Sequence, residues 1–341
     1  MIETGIVTIG RNEGERLKRC LASVLSSGFP VVYVDSKSTD GSVSLARSMG
    51  AEVVELDMST PFSAARARNA GLDRLTQMHS SIRFVQFIDG DCEVAAGWLQ
   101  RAQNDLAADP AAAAVCGRRR ERFPKNSVYN QIADIEWNTP VGEVKSCGGA
   151  AMVRADAFTA AGGYDPTIVA GEEPELCQRL REKGWKILRI DAEMTLHDSA
   201  MTKFAQWWRR AIRSGYGAMD VATRFGHGKD GLFVRQVRSA RLWGILFPLL
   251  LILVGVTIGL SLGRLAAALA LLFFLVVLLL QMLRTAVKAR KRTDSWSAAI
   301  ACGVLTMIAK WANLIGQLRY WRDRASGHNA RLIEYKLSPA R

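Results

Sequence analysis

Acidic residues are scarce in the C-terminal part of this chain. Of the 32 Asp and Glu in 341 residues, only 5 fall within residues 203–341, against 22 Lys and Arg. Residues 1–202 carry 27 acids and 23 bases, so a segment of net −4 is followed by one of net +17, giving +13 in all. Cysteines at metal-binding spacing are also missing. The six present (Cys20, Cys92, Cys116, Cys147, Cys177, Cys302) are scattered without a CxxC pair, which argues against a zinc ribbon or a disulfide framework and predicts reduced thiols. The N-terminal stretch Met1-Ile-Glu-Thr-Gly-Ile-Val has neither a basic n-region nor a long apolar h-region, so the first domain is expected to stay in the cytoplasm. Internal repeats, low-complexity tracts and heptads are absent.

The basic part is also the hydrophobic part. Leu242 to Gly263 is a run of 22 uncharged residues and Leu265 to Leu283 one of 19, separated only by Arg264. Each is long enough to cross the hydrocarbon core, which needs about 20 residues. Arg235, Arg238 and Arg241 precede the pair, and Arg284, Lys288, Arg290, Lys291 and Arg292 follow it. By the positive-inside rule both ends are cytoplasmic, and a multi-pass protein of the inner membrane is expected. Charge interleaved with long apolar runs points to membrane lipids as the partner and away from nucleic acid. Residues 296–318 are apolar but hold Lys310, Asn313 and Gln317. A span there would put Arg319, Arg322, Arg324 and Arg331 outside, so an interfacial or re-entrant helix is expected, with a third membrane helix as the alternative.

The organisation read from these features is a domain at 1–202, an amphipathic basic segment at 203–241, a transmembrane hairpin at 242–283 and a basic region at 284–341. In the first domain, Ile6–Ile9, Val31–Val34, Glu52–Leu56 and Phe84–Ile88 read as strands alternating with helical patterns. That alternation predicts an α/β fold with a mostly parallel sheet. Polar clusters follow three of these strands, and parallel strands gather their carboxyl ends on one edge, where open sheets bind ligands. Asp89-Gly90-Asp91 supplies two carboxylates suited to a divalent cation, although Asp-Gly after a strand is also an ordinary turn signal. Arg66, Arg68 and Asn69 open a helix and suit a diphosphate, or form a solvated face. Asp35 reads equally as a ligand or as an N-cap.

Ile9-Gly-Arg-Asn-Glu13, Val34-Asp-Ser-Lys-Ser-Thr-Asp-Gly-Ser42, Ala67-Arg-Asn-Ala-Gly71 and Asp89-Gly-Asp91, in that order and spacing, resemble the nucleotide-sugar half of family 2 glycosyltransferases of the GT-A fold. The resemblance covers residues 4 to 215 or so. It implies a nucleotide diphosphate-sugar donor, UDP-linked, held by Ile9, Arg11, Asn12, Glu13, Asp35, Ser36, Arg66, Arg68, Asn69, Asp89 and Gly90. It also implies Mn²⁺ or Mg²⁺ at Asp91 and Asp89, with His197 as a further ligand or else a structural histidine.

Ser146 to Val153 resembles the family's glycine-containing strand beside the transferred sugar, which would place Gly148 and Gly149 at the acceptor. Gly171-Glu172-Glu173-Pro174 matches the family's acidic pair, whose second member deprotonates the acceptor. Glu173 is therefore the expected general base and Glu172 its reserve, with glutamate standing where aspartate is usual. Gln206-Trp-Trp-Arg209-Arg210 resembles the Gln-x-x-Arg-Trp motif of processive synthases and implies acceptor contacts from Gln206, Arg209 and Arg210, but Arg210 replaces the tryptophan that stacks on sugar. The expected acceptor is lipid-linked or a polysaccharide. The alternatives are a plain lipid, such as polyprenyl phosphate or diacylglycerol, and an inactive membrane scaffold.

Overall fold

The computed structural model describes residues 3–227 and 231–327, so Arg331 and the rest of the C-terminal tail lie outside the described residues. The chain divides into two compact units. Of the described residues, one holds those up to Pro124 together with Trp137–Ala200; the other holds Lys125–Glu136 and those from Met201 to Gly327.

The first unit is an α/β layer structure. Its strands are β1 (Thr4–Gly10), β2 (Val31–Asp35), β3 (Glu52–Glu55), β4 (Phe84–Asp89), β5 (Cys92–Val94), β6 (Ala112–Glu121), β7 (Gly142–Glu143), β8 (Ala151–Arg154) and β9 (Lys186–His197). They form one sheet in the order β3-β2-β1-β4-β8-β6-β9-β5, with β7 also paired to β9. The first four in that order are parallel; β8 then runs antiparallel to both β4 and β6. The helices of this unit are α1 (Glu15–Leu25), α2 (Ser42–Ser48), α3 (Ala64–Met78), α4 (Trp98–Ala108), α6 (Ala155–Ala160) and α7 (Glu172–Glu182), with α5 (Val128–Trp137) between β6 and β7.

β1 and β4 are buried apolar runs, and α1 buries Leu17, Cys20, Leu21 and Val24 at helical spacing, as an amphipathic helix on a sheet should. Gly71 lets α3 lie close to the sheet: a Cβ there would sit 2.3 Å from Val7 Cγ1. Register does the rest. Ile9 lies opposite both Val34 and Asp89, and Gly10 opposite Asp35, so three parallel strands end level.

The expected strand from Ser146 is shorter than the sequence reading. Gly148 has φ of +80°, which breaks the extended run, and pairing begins only at Ala151. The last strand, β9, runs unbroken to His197 and pairs with β6 along most of its length.

The second unit is helical: α5, α8 (Phe204–Phe225), α9 (Val234–Arg241), a π-helical turn Leu242–Leu246, α10 (Phe247–Leu262), α11 (Arg264–Arg290) and α12 (Trp296–Ala325). α5 falls in this unit because Ile132 and Ile135 pack with Ala289, Ala298, Ala299 and Cys302. Three helical stretches, Val234–Leu262, Arg264–Arg290 and Trp296–Ala325, are long and apolar enough to cross a membrane. The first two meet at Gly263, and their apolar windows have no buried residues, as lipid-facing helices would. Gly255 and Gly259 on α10 face Leu271 and Ala267 on α11, a small-residue seam of the kind that lets membrane helices approach. α12 is one continuous 30-residue helix, 44% of whose apolar window is buried.

Candidate active site

The loops after β1 and β2 are laced to each other. The Asn12 backbone N–H donates to Ser38 Oγ at 2.9 Å, and Asn12 Oδ1 accepts from the Thr39 N–H at 2.7 Å. Asn12 holds φ of +55°, a left-handed conformation that asparagine tolerates. Asp35 is buried and fully engaged: Oδ1 accepts from the Tyr33 hydroxyl at 2.8 Å and Oδ2 from the Ser38 N–H at 2.7 Å. Ser36 N–H donates to the Gly10 carbonyl, Glu13 pairs with Arg16, and the Arg11 guanidinium lies over the Phe62 ring.

Arg66, Arg68 and Asn69, though close in sequence, do different work. Arg66 is spent on the preceding loop, donating to the carbonyls of Asp57, Thr60 and Pro61. Asn69 grips the Tyr164 backbone through both ends of its amide. Arg68 is buried and bridges two carboxylates, Nη2 to Asp89 Oδ1 and Nη1 to Glu172 Oε1, each at 2.8 Å. Burial would raise the Asp89 carboxyl, but the Arg68 and Arg119 guanidinium groups outweigh it and hold Asp89 below the usual carboxylate range.

Replacing Arg68 by methionine leaves two partly buried carboxylates facing each other, so a loss of about 3 kcal/mol in stability is expected, at the lower end for a broken buried pair because both acids keep some contact with water. A thermal midpoint unchanged from wild type would show that the bridge contributes nothing.

Asp91 and His197 are 106 positions apart in sequence and adjacent in space. Cys92 lies opposite His197 in the β5–β9 ladder, and His197 also lies opposite Glu121 in the β6–β9 ladder. Asp91 Oδ2 is 3.3 Å from His197 Nε2, while His197 Nδ1 is 3.7 Å from Glu121 Oε2, an oxygen that accepts from both Ser199 N–H and Oγ–H. The Trp137 ring packs edge-on against the imidazole at 4.8 Å. The Cys92 thiol, pushed well up by burial, stays protonated and points at Asp91 Oδ1.

Burial pushes the His197 imidazole below its ordinary value, with the contact to Glu121 offsetting only part of this. The unfolded chain then binds more protons than the folded one between the folded value and about 6.5, so stability should fall as pH drops through that window. In metal-free buffer, thermal midpoints measured across the window should fall for wild type and stay flatter for His197→Gln.

These two side chains fit a divalent cation. A neutral imidazole whose Nδ1 faces Glu121 leaves the Nε2 lone pair beside a carboxylate oxygen, and an outer carboxylate commonly orients a metal-bound histidine in this way. The oxygen-plus-imidazole donor set suits Mn²⁺. Asp89 is not drawn into this pair; its Oδ1 faces Arg68. Gly90 has its N–H on the Ile9 carbonyl at 2.8 Å and keeps Asp91 close to β1.

Glu172 and Glu173 open α7 behind Gly171, which has φ of +98°. They point into different surroundings: Glu172 meets Arg68, whereas Glu173 Oε1 accepts from the Cys147 N–H at 2.6 Å and the Cys177 thiol at 3.1 Å. The Cys147 thiol is raised by its contact with Cys177 and by burial. Cys177 is raised too, burial and the Glu173 charge outweighing the hydrogen bond from Cys147.

Gly148 has open space where a Cβ would be. At Gly149 a Cβ would come 3.1 Å from Arg68 Nη2 and 3.3 Å from Asp89 Oδ2, so this backbone lies against the Arg68–Asp89 bridge. Gln206, Arg209 and Arg210 lie on α8 of the helical unit. Gln206 Oε1 accepts from the backbone N–H groups of Thr202 and Lys203, and Arg210 pairs with Glu136. Sequence reasoning missed Glu121, Trp137 and the two thiols at Glu173. Glu121, Trp137 and Cys147 carry no local signal, being distant in sequence from what they meet, whereas Cys177 stands one helical turn after Glu173 on α7, a spacing legible in the sequence.

Residues 6–154 match the family model for glycosyl transferase family 2, and residues 126–287 that for glycosyl transferase family group 2. The chain is similar to glycosyltransferase AglE of Haloferax volcanii, 23% identical over 245 residues that cover 68% of this chain and 76% of that one. It is also similar to the pre-mycofactocin glycosyltransferase of Mycobacterium tuberculosis, 29% identical over 275 residues, 75% of this chain and 53% of the relative, so it spans about half that protein's length. Among solved structures, mannosyltransferase PcManGT from Pyrobaculum calidifontis, in complex with GDP-Man and Mn²⁺, has a similar fold, with a TM-score of 0.57, 16% identity and coverage of 94% of this chain and 88% of that one.

Proposed function

The chain belongs to the family 2 glycosyltransferases, and from that premise we propose that it moves a sugar, with inversion, from a UDP-linked donor to a lipid-linked or polysaccharide acceptor at the cytoplasmic face of the inner membrane. The observation that carries the metal-dependent part of this reading is the Asp91–His197 pair, held by two strand ladders beside the level ends of β1, β2 and β4.

Asp35 and the laced loops after β1 and β2 form a rigid polar rim for the nucleoside, and Asp89, fixed by Arg68, faces the ribose. Asp91 and His197 would hold Mn²⁺ or Mg²⁺, which supplies Lewis-acid stabilisation of charge on the departing diphosphate. Glu173 takes the proton of the acceptor hydroxyl. The acceptor oxygen bonds to the anomeric carbon as the bond to the diphosphate oxygen breaks on the opposite face, which inverts that carbon. The Cys147 N–H and the Cys177 thiol fix the Glu173 carboxylate, and positioning of a base within hydrogen-bond reach decides its rate. Release of nucleoside diphosphate from a panel of UDP- and GDP-sugars, with Mn²⁺ or with chelator, tests the reading; release that ignores the chelator refutes the metal role.

A plain lipid phosphate as acceptor has one specific observation in its favour. The position expected to stack on an acceptor sugar is Arg210, already ion-paired to Glu136.

A further inference from the structure

The helical unit holds a half-open pocket of about 260 Å³ lined by residues of α5, α8, α9 and α12. Its polar and charged lining residues are Glu136, Arg210, Ser214, Gln236, Thr306, Lys310 and Asn313. α8 and α12 meet closely here: a Cβ on Gly215 would come within 2.2 Å of the Asn313 carbonyl, so the walls are held by backbone contact.

The charges in this cavity do not balance. Lys310 lies in the middle of a helix apolar enough to cross a membrane, where an ammonium group is costly and normally marks a functional site with a counter-charge. The lining carboxylate, Glu136, is already taken by Arg210 through two hydrogen bonds of 3.1 Å. Among the described residues Lys310 makes no hydrogen bond or ion pair. Beside it stand two hydroxyls, of Ser214 and Thr306, and two carboxamides, groups that donate readily to an anion.

We propose that this cavity binds the phosphate group of a lipid phosphate, with Lys310 as its counter-charge and Ser214, Gln236 and Asn313 as neutral donors. A lipid ester is favoured over free phosphate because the same unit continues through α9 into α10 and α11, whose lipid-type faces offer a path for a hydrocarbon chain. The identification of this ligand as the acceptor rests on the transfer reading above; the binding site itself does not.

The test is scintillation-proximity binding of radiolabelled farnesyl phosphate by the full chain in phosphatidylcholine nanodiscs, with unlabelled competitors. Farnesyl phosphate should compete, farnesol should not, and inorganic phosphate should need at least about a hundredfold higher concentration, having no chain to bury. Lys310→Gln should weaken binding by about tenfold or more, as loss of a charge-assisted hydrogen bond does, whereas Lys310→Arg should stay within a few-fold of wild type. Equal competition by farnesol would reduce the site to an apolar groove and overturn the proposal. Equal competition by inorganic phosphate would overturn its lipid part, and unchanged binding by Lys310→Gln would remove Lys310 from it. If wild type binds farnesyl phosphate yet releases no nucleotide from any donor, the transfer reading fails and this site stands.

Discussion

Asp91→Ala is expected to lower turnover, measured as nucleoside diphosphate release at saturating donor and Mn²⁺, by roughly 10³-fold. A bound cation contributes several kcal/mol of charge stabilisation in the transition state, and each ~1.4 kcal/mol is a factor of ten. The substitution removes one of the two proposed ligands, which the β5–β9 ladder brings to 3.3 Å from each other. It should do so without unfolding the strand end, because the local backbone tie is made by the Asp91 carbonyl, which accepts from the Asp198 N–H. The Mn²⁺ concentration needed for half-maximal rate should also rise. Asp89→Asn should behave differently: its main loss is the negative charge paired with Arg68, so stability should fall before metal dependence changes. An Asp91→Ala enzyme with wild-type turnover would place the cation elsewhere.

Glu173→Gln is expected to lower turnover by about 10²- to 10⁴-fold while leaving donor affinity near wild type, the signature of a lost general base. Glutamine keeps the carbonyl-type oxygen that accepts from the Cys147 N–H and the Cys177 thiol, so the loop and α7 should stay in place. Glu172→Gln is the informative contrast. Glu172 is bound to the buried Arg68, so its loss should weaken the bridge to Asp89 and show in donor affinity and thermal midpoint more than in the chemical step. Should the two variants exchange phenotypes, Glu172 is the base and Glu173 the structural partner.

What the sequence could show follows from where the information lies. β1, β2 and β4 are contiguous apolar runs with polar residues directly after them, and parallel pairing then forces those ends to one edge. Local pattern is enough for that part of the site. The half that holds Asp91 against His197 depends on antiparallel β5–β9 pairing and on β8 inserting between β4 and β6, long-range choices with no local periodicity. The same reason hides Trp137, the last residue of α5, which meets His197. The run from Ser146 to Ala150 is expected as strand only through the family resemblance, and Gly148, with its left-handed φ, turns it into a loop. For Arg66, Arg68 and Asn69, the sequence places all three at one helix start but says nothing of their partners. Tertiary contacts commit Arg66 to its own loop, Asn69 to Tyr164 and Arg68 to the two acids.

The central claim is that a nucleotide-sugar and a cation bind together at Asp91. The most direct test follows the thermal midpoint of wild type and Asp91→Ala with a nucleotide diphosphate-sugar, Mn²⁺, both, or both plus chelator. A ligand at a hundred times its dissociation constant stabilises the native state by about 2.7 kcal/mol, a shift of a few degrees. The account predicts that shift for wild type with donor and Mn²⁺ together, and its loss with chelator or in Asp91→Ala. The same shift from the donor in chelator, or in Asp91→Ala, would contradict it.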